Sequence, residues 1–91
     1  MKETYGEQLD LIANLLKGDG FSPSVRGEDM GRFVYAEHQD RAAEVYWDGV
    51  AFMIELFEQP TVHSVRDYHQ DTPEIAAGQA IDWLLRRSIS N

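Results

Sequence analysis

The side chains best able to do chemistry in this chain are three histidines, His38, His63 and His69, and a surplus of carboxylates. If residues 61–69 are extended, His63, Asp67 and His69 point the same way, because alternate residues of a strand share a face. Imidazole and carboxylate are ligands for divalent metals. The spacing matches no established zinc or facial-triad pattern, and the segment supplies no further ligand. An edge strand with ordinary polar residues accounts for it more simply, and no metal or other cofactor is assigned. The serines, Ser22, Ser24, Ser64, Ser88 and Ser90, stand in no nucleophile-elbow pattern. With no cysteine in the chain, a disulfide framework, a thiolate zinc site and a cysteine nucleophile are excluded. Glu44 and Glu55 are the remaining pair of interest. They fall together near Tyr46 on one face of a sheet, where partial burial raises a carboxylate pKa. Among sixteen acids such a pair more simply marks solvated surface, so no catalytic residue is assigned.

The elements that must position these residues follow from hydrophobic periodicity. Thr4 to Lys17 reads as a helix, with Tyr5, Leu9, Ile12, Ala13 and Leu16 on one side and Leu11 and Leu15 widening the stripe. Gly18 or Gly20 can end it in the left-handed conformation. Phe21 to Gly31 reads as a loop, with a short extended piece at Ser24-Val25-Arg26. Arg32 to His38 alternates as a strand, and Gln39-Asp40 turns it back. Ala36 then faces Ala43 and Val34 faces Val45.

Asp48-Gly49 lies between two further alternating runs, the signature of a two-residue turn with positive φ. That turn sets Trp47 opposite Val50, Val45 opposite Phe52 and Ala43 opposite Ile54. Gln59-Pro60 breaks the ladder, and Thr61 to Tyr68 is read as a fourth, edge strand. Thr72 is placed to cap a second helix with Pro73 at its first position. Its buried stripe is Ala77, Ala80, Ile81 and Leu84, flanked by Ile75, Trp83 and Leu85, with Arg86 and Arg87 in the last turn.

The expected fold is therefore α+β in one domain over residues 1–91: a helix, an antiparallel meander of three to four strands, and a helix. Two helices about 10 Å apart span the width of about four strands at 4.8 Å spacing, so both can lie on one sheet face. The other face is left without cover. On it fall Phe33, Tyr35, Glu44, Tyr46, Met53, Glu55 and Phe57, a group rich in interface-forming types.

A formal charge of −8 repels nucleic-acid phosphates and anionic membranes. The element order is similar to that of double-stranded-RNA-binding domains, but in order alone. Where those carry a lysine cluster at the second helix, this chain has Thr72-Pro73-Glu74-Ile75-Ala76. Neither nucleic acid nor membrane is expected as a partner. No apolar leader segment is seen, and a cytoplasmic location is the default.

The leading expectation is a non-enzymatic interaction module that pairs through the open face, first of all as a homodimer. For that, Arg32, Arg41 or Arg66 must reach across to Glu44 and Glu55. The alternatives are an acidic inhibitor or adaptor of the immunity-protein or antitoxin kind, aimed at a basic protein, and a ligand-binding or catalytic domain that uses the same face.

Overall fold

The computed structural model describes residues 5–28 and 31–89. Helix α1 (Tyr5–Gly18) is followed by β1 (Ser24–Arg26), β2 (Phe33–His38), β3 (Arg41–Trp47), β4 (Phe52–Glu58), β5 (Arg66–Gln70) and α2 (Pro73–Leu84). The strands form one antiparallel sheet in the order β1-β2-β3-β4-β5. This is the expected meander, with five strands. The added strand is the short Ser24–Arg26 piece, which pairs with β2. The expected positions Thr4 and Ser90 and the side chain of Tyr5 lie outside the described residues.

Both helices pack on one sheet face. Leu9, Ile12, Ala13 and Leu16 of α1 join Ala76, Ala77, Ala80, Trp83 and Leu84 of α2 over Val34, Ala36, Ala43, Val45, Phe52, Ile54 and Leu56. Burial differs from expectation at the margins of the stripes. Leu11, Ile75 and Leu85 are exposed, whereas Ala76 is fully buried.

The two helices end in the same way. After α1, Phe21 N–H bonds to Leu16 O and Gly20 N–H to Lys17 O, with Gly20 at φ +94°. After α2, Arg87 N–H bonds to Asp82 O and Arg86 N–H to Trp83 O, with Arg86 at φ +60°. Each is a Schellman motif, which needs a left-handed residue just past the helix. Glycine fills that place in α1 and arginine in α2. Arg86 and Arg87 thus lie beyond the last turn, whereas the sequence pattern predicts them inside it.

The β2–β3 turn has the expected register, with Ala36 opposite Ala43 and Val34 opposite Val45. The β3–β4 register departs from expectation by two residues. Trp47 pairs with Phe52, Val45 with Ile54 and Ala43 with Leu56, so the loop is Asp48 to Ala51. Asp48 is the cause. Its Oδ1 accepts the N–H groups of Val50 at 2.8 Å and Ala51 at 2.9 Å, which holds the wider loop. Val50 is left 81% exposed, and the Trp47 and Phe52 rings meet edge to face at 4.9 Å. A shift of two preserves the side-chain parity, so the faces are unaffected. Gly49 still needs its freedom, at φ +103°.

Residues 61–65 bend rather than pair, and the edge strand begins later, at Arg66. Thr61 turns the chain locally by bonding to Glu58 O through its N–H and hydroxyl. Val65 N–H then reaches Leu56 O at 2.8 Å. A seam ties α2 to the sheet. Trp83 donates its indole N–H to Phe57 O at 3.1 Å, and Arg41 stacks on the Trp83 ring while donating to Trp83 O and Glu58.

Candidate functional site: the open face of the sheet

Strand alternation turns Phe33, Tyr35, Glu44, Tyr46, Met53, Glu55 and Phe57 away from the helices, and all seven are half-buried. The registers arrange them in rows across the strands. One row runs Ser24, Tyr35, Glu44, Glu55, Asp67, and the next runs Arg26, Phe33, Tyr46, Met53, His69. A third consists of Glu37, Ala42 and Phe57. The face is thus a line of three directly opposed carboxylates, Glu44, Glu55 and Asp67, continued by Tyr35, between a row with Phe33, Tyr46 and Met53 and a row with Phe57.

Like charges directly opposite one another destabilise a sheet, and the local electrostatics reflect this. Burial and the neighbouring charge of Glu55 raise the Glu44 pKa above the ordinary range, and Arg26 only partly offsets them. Tyr46 donates its hydroxyl to Glu55 Oε2 at 2.7 Å. That bond to a carboxylate, with partial burial, pushes the phenol up to about 12. Tyr35 donates to Glu37 Oε2 at 2.9 Å, and its pKa is raised by burial and by that bond. Arg26 lies over the Tyr35 ring, 4.1 Å from its centre.

Most of the described basic residues lie outside the rows of this face. Only Arg26 and His69 stand among the open-face rows, against Glu37, Glu44, Glu55 and Asp67. Arg32 pairs with Asp10 at 3.5 Å. Arg41 is held by Glu58 and Trp83. Arg66 sits in register with the core residue Leu56, and so on the helix side. Four of the six arginines, Arg41, Arg66, Arg86 and Arg87, line a cleft beside the end of α2. Three of them have an acidic partner there: Glu58, Asp40 and Asp82. Arg41 also lines a recess with Tyr35, Glu44 and Phe57, and Arg32 lines a hollow with Glu44, Tyr46 and Glu55, but each guanidinium is already paired, with Glu58 and Asp10 respectively.

Of the histidine set, Asp67 and His69 lie on β5 and face the same way, opposite Glu55 and Met53. His63 is in the bent segment before the strand, so the three do not share a strand face. Among the described residues no group of three histidines, cysteines or acids is placed to hold a metal ion. No described helix is long and apolar enough to cross a membrane.

The sequence reading did not find a hollow over Ala42. Alanine there stands between Glu37 and Phe57 in its row and beside Glu44 along its strand. The short side chain leaves a recess of about 300 Å³ whose walls include Tyr35 and Phe57. The only sequence signal was one small residue within an alternating face of large ones.

Fold and site together define a two-layer α+β domain with a helix-covered face and an open, acidic and aromatic one. Comparison with known protein families, curated proteins and solved structures finds no match to this chain.

Proposed function

We propose that this chain is a non-enzymatic interaction module whose open sheet face receives a basic protein. The observation that carries this is the row Glu44, Glu55 and Asp67, flanked by Phe33, Tyr46, Met53 and Phe57, with Arg26 the one arginine in the rows of the face. Opposed carboxylates cost the fold stability, and a cationic partner turns that cost into attraction. The bordering rings and Met53 supply apolar area of the kind enriched in interface cores.

The alternative, two copies pairing face to face, finds some support in the same half-buried rings. It sets eight carboxylates against two arginines and two histidines, and unpaired interfacial charge is costly. A charged face suits a transient and salt-sensitive contact.

The test measures binding of an arginine-rich peptide by NMR titration over a range of salt. The parent is compared with the triple variant Glu44→Gln/Glu55→Gln/Asp67→Asn. A control of equal net charge, Asp19→Asn/Glu28→Gln/Asp71→Asn, neutralises exposed acids outside the face rows. Binding that maps to β2–β5 and is lost only in the first variant supports the proposal. Equal loss in both variants reduces the effect to net charge and overturns it. A concentration-dependent dimer in light scattering, broken by Tyr46→Asp, favours self-pairing instead.

A further inference from the structure

We infer that the hollow over Ala42 is the seat of an arginine side chain from the partner. This rests on the reading of the open face as a docking surface for a basic protein, and it assigns that surface its anchor point. Interfaces draw most of their energy from a few side chains seated in pockets, and arginine is prominent among them.

The geometry of the recess supports the assignment. The recess is lined by Ala42, by the aromatic residues Tyr35 and Phe57, and by Glu37 and Glu44. At about 300 Å³ it lies at the small end of the roughly 300–1,000 Å³ typical of ligand pockets. That size suits one long side chain rather than a cofactor.

Charge and shape agree on the occupant. An arginine has an apolar stem that can lie against rings and a planar head that stacks on aromatic faces and pairs with carboxylates. The chain already shows this chemistry next door, where Arg26 lies over the Tyr35 ring. Of the other charged groups lining the recess, Asp40 is engaged by Arg86, and the Arg41 guanidinium is held by Glu58 and Trp83. Glu37 accepts one bond from Tyr35, which leaves it acceptor capacity. Glu44 is in none of the ion pairs among the described residues; of the charges near it, Arg26 attracts and Glu55 repels. The recess therefore offers a guanidinium two carboxylates that form no ion pair among the described residues.

The experiment uses the full chain and two short peptides, one with arginine at alternate positions and its twin with lysine. Dissociation constants are measured for the parent, for Ala42→Leu, which fills the recess, and for Phe57→Leu, which removes a ring at similar volume. Ala42 is half-exposed on the face away from the core, and thermal melts check that each variant folds.

The parent is expected to prefer the arginine peptide. Ala42→Leu is expected to weaken that peptide about tenfold, the loss of one anchor, with little change for the lysine twin. Phe57→Leu should reduce the preference in the same direction. If Ala42→Leu is folded and binds the arginine peptide as the parent does, the hollow is not the seat. In that case, loss of binding in Glu44→Gln/Glu55→Gln/Asp67→Asn leaves the docking face standing, and retention of binding there removes both. Equal affinity for the two peptides in the parent also overturns the assignment to arginine.

Discussion

The two faces of this sheet are built by the same strands from alternate residues, yet they obey different rules. The helix side pairs Val45 with Ile54 and Ala43 with Leu56, all buried to within 2%. One residue along, the other side pairs Glu44 with Glu55 and Tyr46 with Met53, all half-exposed. A face selected for stability alone would not line up like charges, since opposite or apolar pairs are available at every such position. The contrast separates what holds the fold from what is displayed on it, and substitutions at neighbouring positions should report that difference.

The largest effect is expected at Phe52, which is completely buried beneath the helices. Phe52→Ala should cost about 3–5 kcal/mol in denaturant melts, against less than about 1 kcal/mol for Met53→Ala on the next residue. Similar costs for the two would mean that Met53 is core and that the open face is covered. Next is the turn that joins both faces. Gly49→Val forces a β-branched side chain into φ +103° and should cost about 1–3 kcal/mol, although a Cβ there meets no neighbour.

A subtler effect is confined to the open face. The Tyr46 phenol is pushed up to about 12 by Glu55, and Glu55→Gln should bring it back toward 10 in a tyrosinate absorbance titration. Because the folded pKa lies above the unfolded one, the linked stability is present below about pH 10 and is lost as pH rises toward 12. The smallest effect is a gain. Glu44→Gln relieves the Glu44–Glu55 opposition and should stabilise the chain by about 0.2–1 kcal/mol at neutral pH. The Glu44 pKa is raised in the folded state, so the parent gains stability as pH falls through the window just above the ordinary glutamate value. In Glu44→Gln that gain should be absent. A variant less stable than the parent at pH 7 would show that Glu44 has a structural partner.

Much of the face assignment was legible in the sequence because parity survives errors of two. The sequence pattern puts the β3–β4 loop at Asp48-Gly49 and the structure at Asp48 to Ala51, yet every side chain keeps its side. Capping of two amides by Asp48 is invisible to a pattern of apolar residues. The start of β5 was also missed. Val62 and Val65 continue the apolar character after Pro60, but they bend and stay exposed, and pairing waits for the polar stretch Arg66–Gln70. Such an edge strand carries little hydrophobic signal. At the site, alternation was enough to gather Phe33, Tyr35, Glu44, Tyr46, Met53, Glu55 and Phe57. The full carboxylate row needed the β4–β5 register, which alone brings Asp67 beside Glu55. The hollow over Ala42 needed three strands in register at once.

Strand order also bears on how the chain reaches its native state. Every ladder joins strands adjacent in sequence, so each closes a short loop at little entropic cost. The helices come from opposite ends of the chain and must meet over the finished sheet. Topologies rich in local pairing fold quickly, and here the distant contact comes naturally as the last step. We expect Val45→Ala, at the centre of the sheet, to slow refolding. Leu9→Ala in α1 should act mainly by speeding unfolding. A chevron analysis in which the two substitutions exchange these roles would place the helix pair, not the meander, at the start of folding.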